Sequence, residues 1–268
     1  MKMQHKNDCA NGYAELRKTL ESQFNLRHSA LTPPETPDTE TCYRRGVSAL
    51  SEAIEYGAIC ANMTLAQPFL LIAKESLDTA IKQGKYPSIL LNEPPESAAY
   101  EKSTAGFCRL VASELLGNEL GFDDVLMSIS ALDEVLTEES IMTASHPRLA
   151  PSQLNDWSRY VARYIALHVL CRMRGGTTDE SVIRLLRKTY FSKEYRVLID
   201  ALLACLDDYQ QSDDVLTSYG RVYGQYFTVV SYKQSLVHGF LLSDALLFSS
   251  LRFRGQFMKA LGELLVAV

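Results

Sequence analysis

Apolar residues recur at the 3.6-residue spacing of an α-helix along almost the whole of this 268-residue chain. No segment shows the strict apolar–polar alternation that indicates a half-buried strand. The clearest helical pattern runs from Gln153 to about Arg174, and its apolar face carries Leu154, Trp157, Val161, Tyr164, His168 and Cys171. Further apolar residues widen this face, so we expect the later turns to be buried on most sides. The pattern predicts an all-α protein.

Proline, glycine and capping residues divide the chain into about ten predicted helices. Gly84 and the Gly175-Gly176 pair are suitable helix ends, and Pro68 suits a first helical turn. Ser192 and the capping-box pattern Thr177-x-x-Glu180 are suitable helix starts. The predicted helices cover residues 13–28, 43–61, 65–83, 98–116, 122–136, 153–174, 177–190 and 192–209, with others beginning at 212, 236 and 256.

The connections between most successive helices are short, which favours an array of antiparallel helical hairpins. Residues Tyr43–Gln83 resemble a tetratricopeptide unit in part, because small and apolar residues recur at Ala73, Leu77 and Ala80. The roughly 34-residue period of that family does not recur downstream, so the resemblance is confined to this hairpin.

Prolines 33, 34 and 37 mark residues 30–41 as a linker that a helix cannot cross. We therefore interpret residues 1–41 as an N-terminal helix, docked or mobile, with a proline-rich linker. Residues 42–268 are predicted to form a single helical domain. A polar, proline-containing stretch near 143–151 offers an alternative subdomain break.

Six cysteines are present, and none has the spacing of a zinc site. We expect Cys60, Cys108, Cys171 and Cys205 to be buried free thiols, as in a reducing compartment. The N-terminus lacks the apolar region of a secretory signal. The longest apolar run, Leu236–Leu251, falls short of the ~20 residues of a membrane span. These features predict a bacterial protein of the cytoplasm.

The net charge of -5 disfavours nucleic acid as a partner. The sequence contains no H-E-x-x-H, phosphate-loop, dinucleotide or nucleophile-elbow motif. We therefore assign no cofactor, no metal and no catalytic residue. The aspartates at 207, 208, 213 and 214 are interpreted as solvated or helix-capping residues, with a divalent-metal site as the alternative.

Arginines and aromatic residues on the helix at 153–174 form the candidate partner-binding site. Arg159 and Arg163 lie one turn apart, next to Trp157 and Tyr160, and such residues are enriched at binding hot spots. A solvated face with local ion pairs is the alternative. A second candidate is the tyrosine row Tyr219, Tyr223 and Tyr226, for which core packing is the alternative.

These observations favour a non-catalytic protein-binding module. Its predicted partner is another protein, as for an immunity protein that neutralises a toxin, a secretion chaperone or a regulatory adaptor. An enzyme with a site around Arg159, Arg163, His168 and Tyr223 is one alternative, and a translocated effector is another. His168 is interpreted as a core histidine rather than a base, and a nucleophilic pair of Cys171 with His168 is disfavoured.

Overall fold

The described part of the chain is helical. A computed structural model of the protein describes residues 2–32, 39–60, 62–85, 97–117, 122–134, 136–137, 141, 151–173, 175–177, 180–189 and 191–208. Within these ranges eight helices and no strand are present: α1 Lys2–Leu31, α2 Thr39–Ile59, α3 Met63–Gln83, α4 Ser97–Leu115, α5 Phe122–Asp133, α6 Pro151–Met173, α7 Glu180–Leu186 and α8 Lys193–Asp207. The all-α class is thus confirmed. The helices predicted from residue 212 onward lie outside the described residues.

The start of α3 differs from the prediction that Pro68 occupies its first turn. Asn62 is the N-cap, and its side-chain Oδ1 accepts hydrogen bonds from the backbone N–H groups of Thr64 (3.0 Å) and Leu65 (3.4 Å). Because this cap satisfies donors at the start of the helix, α3 begins at Met63. Pro68 consequently lies inside the helix.

The predicted glycine ends of α3 and α6 are confirmed. Gly84 adopts a left-handed conformation with φ of 63°, and Gly175 does so with φ of 81°. After α6, the N–H of Gly175 donates to the carbonyl of Arg172 and the N–H of Gly176 to that of Cys171, both at 2.9 Å. These bonds satisfy two terminal carbonyls in the pattern of a Schellman motif.

Helices α1 and α7 differ most in length from the prediction. Helix α1 begins at Lys2 rather than Tyr13. The sequence analysis missed its first turns, because they carry no apolar stripe from which a helix could be predicted. Helix α7 ends at Leu186 rather than near Tyr190. There the Thr189 hydroxyl donates to the carbonyl of Leu185 at 2.9 Å, which provides a side-chain partner for a carbonyl in the last turn.

Successive helices from α1 to α6 pack against one another, α6 also packs on α8, and the contacts of two successive pairs show that they are antiparallel. In α2 and α3, Gly46 contacts Leu77, and the ring of Tyr56 stacks on Phe69 with centroids 5.2 Å apart. In α4 and α5, Gly106 approaches Ser128, and Lys102 forms an ion pair of 2.7 Å with Glu134, the residue that follows α5. In each pair, a later residue of one helix meets an earlier residue of the other.

Helices α6 and α8 run in the same direction. The N–H of Ser192, the N-cap of α8, donates to the hydroxyl of Ser158 at 3.0 Å. Near the other end, the Arg172 guanidinium donates to the carbonyl of Leu206 at 3.1 Å. Both contacts join residues that are 34 positions apart, and the short α7 lies between them in sequence.

Buried side chains form one connected core from Leu20 of α1 to Leu206 of α8. The core includes the four cysteines predicted to be buried, and Cys42 as well, all as free thiols. Val125, Ile129 and Leu132 of α5 are also buried, as is Leu136 after it. In the described part of the chain, no helix is both long enough and apolar enough to cross a bilayer.

Candidate functional site

Helix α6 carries most of the predicted site residues and passes through the core. Every residue from Val161 to Cys171 is buried, as the wide apolar face predicted. The surroundings of this helix are α5 on one side, α8 on another and part of α4. Polar side chains within this stretch are therefore enclosed by protein.

Arg163 lies inside the molecule rather than on a surface that faces a partner. Its side chain is 1% exposed. The guanidinium carbon lies 4.4 Å from the ring centroid of Phe107 on α4, and Nη1 lies 3.5 Å from the Thr104 hydroxyl oxygen. Arg163 therefore does not lie on a solvated face, because it is on the side of α6 that contacts α4. A guanidinium over an aromatic face is a favourable cation–π arrangement.

Trp157 and Tyr160 do not form an exposed cluster with Arg163. Trp157 is buried in the core, and Tyr160 is half-buried and packs against it. The side chain of Arg159 lies outside the described residues, as do Tyr219, Tyr223 and Tyr226. Their roles in partner binding stay predictions.

His168 and Cys171 are both enclosed by the core. The His168 ring lies 4.4 Å from that of Tyr164, centroid to centroid, in an edge-to-face arrangement. The Tyr164 hydroxyl donates to a carboxylate oxygen of Asp133 at 2.7 Å. The Cys171 thiol donates to the carbonyl of Thr177 at 3.5 Å, and burial raises its pKa. A raised pKa disfavours the thiolate, which is the nucleophilic form.

A buried polar cluster joins α2, α4 and α6, and the sequence analysis missed it. The hydroxyl of Tyr43 donates to a carboxylate oxygen of Glu101, and both residues are buried. Burial, followed by the charge of Glu101, raises the pKa of Tyr43 well above its ordinary value, so the phenol stays protonated. Thr104 lies about one turn further along α4, and Arg163 of α6 contacts its hydroxyl.

One sequence signal could have revealed this cluster. Glu101 and Thr104 fall on the same face of α4 as Cys108 and Val111, which are fully buried apolar residues. A carboxylate on an apolar face needs a buried hydrogen-bond donor, which Tyr43 supplies from a helix 58 residues away. This hydrogen bond joins α2 to α4 at a defined position on each helix.

A second group of polar contacts lies where α1 packs on α2 and α3. Arg27 of α1 contacts two carboxylates of α2, that of Glu52 at 2.7 Å and that of Glu55 at 3.0 Å. Beside this ion pair, the ring of Phe24 meets the rings of Tyr56 and Phe69 edge to face, with centroids 5.5 and 5.6 Å apart. The Tyr56 hydroxyl donates to the carbonyl of Leu20 at 2.8 Å.

The arrangement of His, Cys, Asp and Glu side chains shows whether a metal ion could bind. Among the residues that the structure describes, no group of three or more His, Cys, Asp or Glu side chains comes together in a way that could hold a metal ion. Asp207 instead pairs with Arg187 at 2.7 Å.

No protein family, no curated protein and no solved structure matches this chain. A function can therefore be argued only from the geometry described above. In that geometry Arg163, His168 and Cys171 are enclosed by protein. Helix α1 packs on α2 and α3 through both aromatic and charged contacts.

Proposed function

We propose that this chain is a non-catalytic protein-binding module built as an array of helical hairpins. Its predicted setting is the cytoplasm of a bacterium, where it would act as an immunity protein, a secretion chaperone or a regulatory adaptor. The partner is another protein rather than a nucleic acid, in keeping with the net charge of -5.

The serial packing of the helices carries this proposal. Each described helix from α1 to α5 packs on the one that follows it, and α6 and α8 are parallel helices offset by 34 residues. Stacked two-helix units produce such an arrangement, and their length in the tetratricopeptide case is roughly 34 residues. Arrays of this kind leave extended helix faces on which other proteins bind.

The placement of the chemically versatile side chains also favours binding over catalysis. Arg163, His168 and Cys171 are buried among apolar neighbours, so a substrate could reach them only if the helices separated. Large apolar side chains are meanwhile exposed on the outer helix faces at Leu26, Leu71, Leu126 and Val197. Singly exposed residues of this kind are ordinary, but each marks a face that can be probed.

The proposal is tested by quantitative co-purification with the full-length chain, tagged and expressed at its native level in its own host. Leu71→Glu on α3 and Val197→Glu on α8 each place a charge on an outer face. Gln67→Glu is the matched control, since Gln67 is an exposed polar residue of α3. We expect a specific protein to be captured in stoichiometric amount. At least one of the variants Leu71→Glu and Val197→Glu should fail to capture this protein while keeping the wild-type melting temperature.

Two results would contradict this function. One is the absence of any stoichiometric protein from the captured material. The other is a catalytic turnover by the purified chain that is lost in His168→Ala while the fold is retained, which would instead support the alternative of an enzyme.

A further inference from the structure

A proline-containing segment of the sequence separates helix α1 from α2. Residues 33, 34 and 37, which precede α2, are prolines, so α1 and α2 cannot form one continuous helix. Yet α1 packs on both α2 and α3, and its residue Leu20 is fully buried there. It therefore resembles a separate helical segment bound to the α2–α3 pair.

The contact uses one face of α1. Leu20, Phe24, Arg27, His28 and Leu31 follow the i, i+4, i+7, i+8, i+11 spacing of a single helical face. Leu20 is buried and the other four are half-buried, whereas Leu26 on another face is 74% exposed. Over the side chains of α1 that the structure describes, from Arg17 onward, the contact face is thus only partly enclosed, which is typical of elements that open locally before the rest of a protein unfolds.

The opposing surface has a defined chemistry. Tyr56 and Phe69 present stacked rings to Phe24, and the His28 ring meets Phe69 edge to face at 5.6 Å. Glu52 and Glu55, one turn apart on α2, both contact the guanidinium of Arg27. An arginine suits this place, because its planar group can donate to two carboxylates at once.

We infer that the face formed by Glu52, Glu55, Tyr56 and Phe69, here called the acidic–aromatic groove, is a binding site for an amphipathic helix of a partner protein. Helix α1 is its displaceable internal occupant. The partner helix carries an aromatic residue and, three positions later, an arginine, as Phe24 and Arg27 do in α1. This inference rests on the proposed function and names one surface for it.

Cys60 provides a chemical readout for the release of α1. It is buried, follows α2 directly and lies close enough to α1 for the charges of Glu21 and Arg17 to act on its thiol. Cys171 is equally buried in α6 and makes no contact with α1 that the structure shows, so it serves as the internal control. Alkylation of both by N-ethylmaleimide can be followed by mass spectrometry in one full-length sample.

The first arm compares the wild-type chain with Phe24→Ala. Because loss of an aromatic contact weakens the docking of α1, we expect Cys60 to react roughly tenfold faster or more, while the rate at Cys171 stays the same. A synthetic peptide of residues 13–32 should then bind the Phe24→Ala chain and restore protection of Cys60. It should bind the wild-type chain at least about tenfold more weakly, since the tethered α1 competes at high effective concentration.

The second arm tests the charge complementarity. Adding Glu52→Arg and Glu55→Arg to the Phe24→Ala chain should abolish peptide binding, and a peptide with Arg27→Glu should recover it. Glu75→Arg in the same background is the matched control, because Glu75 is an exposed acid of α3. It should leave binding of the original peptide unchanged.

Several results would overturn the inference. If Cys60 and Cys171 become reactive together, or if amides 17–31 of the wild-type chain exchange as slowly as those of α3, then α1 is an integral part of the core. If the peptide fails to bind the folded Phe24→Ala chain, the groove does not accept a helix in trans. A dimer formed by exchange of α1 would assign the groove to a second copy.

The outcome can be separated from that of the proposed function. A partner captured by the full-length chain, and still captured after Glu52→Arg and Glu55→Arg, would leave the protein-binding function in place while excluding this groove as its site.

Discussion

Arg163 shows how the surroundings of a single residue determine its role. Sequence proximity to Arg159 predicts a basic surface, yet the residues on every side of Arg163 along α6 are buried. Its guanidinium lies over Phe107, and its aliphatic stem occupies core volume. An arginine in this position acts as a packing residue whose charge is held by aromatic and polar neighbours.

We predict that Arg163→Ala lowers the free energy of unfolding by about 3 kcal/mol, because it leaves a cavity and removes the contact with Phe107. Arg187→Ala is the matched control, since Arg187 forms an exposed ion pair with Asp207, and it should cost less than about 1 kcal/mol. Urea unfolding followed by circular dichroism measures both. Equal effects of the two substitutions would show that Arg163 does not pack as described.

The buried tyrosines make stability depend on pH in the alkaline range. Burial raises the pKa of Tyr56 to about 12. Because the folded value exceeds the unfolded value of about 10, the folded state favours the neutral phenol. This contribution is fully present below about pH 10 and is lost as the pH rises through about 12.

Tyr56→Phe should therefore reduce the loss of unfolding free energy between about pH 9 and about pH 12. At neutral pH the same variant should cost about 1 kcal/mol, since the hydrogen bond to the carbonyl of Leu20 disappears. Urea unfolding across this pH range is the measurement. A variant whose pH profile matches that of the wild-type chain would contradict the role of this phenol, although Tyr43 adds a similar dependence of its own.

At the scale of the elements, small residues set how closely helices approach. A Cβ placed on Gly46 of α2 would lie 2.6 Å from Cγ of Leu77 and 3.2 Å from its backbone nitrogen. Leu77 is fully buried in α3, so neither atom can move aside without displacing its neighbours. At Gly106 of α4 the nearest atom is the Ser128 hydroxyl oxygen, at 2.9 Å, which belongs to a short side chain.

Gly46→Ala should consequently destabilise the protein by about 1 kcal/mol or more, because overpacking outweighs the better helix propensity of alanine. Gly106→Ala should cost less, since the one atom within 3.0 Å of the added Cβ is the side-chain oxygen of Ser128 and no backbone atom is close. Thermal unfolding of the two variants, compared with the wild-type chain, tests this order. If Gly46→Ala raises the melting temperature, then α2 and α3 are not packed as closely as the structure describes.

At the scale of the whole molecule, the described helices share one core rather than relying on cross-links. Cys42, Cys60, Cys108, Cys171 and Cys205 are all free and buried. Burial raises the pKa of the Cys205 thiol to about 11, and those of Cys60 and Cys171 also rise. The thiols of Cys60, Cys171 and Cys205 are therefore protonated near neutral pH and contribute to stability as small apolar residues.

We predict that a reducing agent leaves the melting temperature unchanged. Alkylation of Cys171 and Cys205 in the native protein should be slower than in concentrated urea by roughly a thousandfold or more, because it requires opening of the core. Differential scanning fluorimetry and mass spectrometry provide the two measurements. A melting temperature that falls on reduction would reveal a disulfide that stabilises the chain.

The sequence by itself determined the helical class, the glycine ends of α3 and α6 and the enclosed later turns of α6. These features depend on residues within a few turns of each other, so a local period and local caps are enough to predict them. The partners of Glu101, Arg163 and Arg27 were decided only by the tertiary structure, since Tyr43, Phe107 and Glu52 reach them from helices distant in sequence. Helical periodicity shows that a face is buried but does not say which helix covers it, because the pairing of helices is a property of the packed molecule.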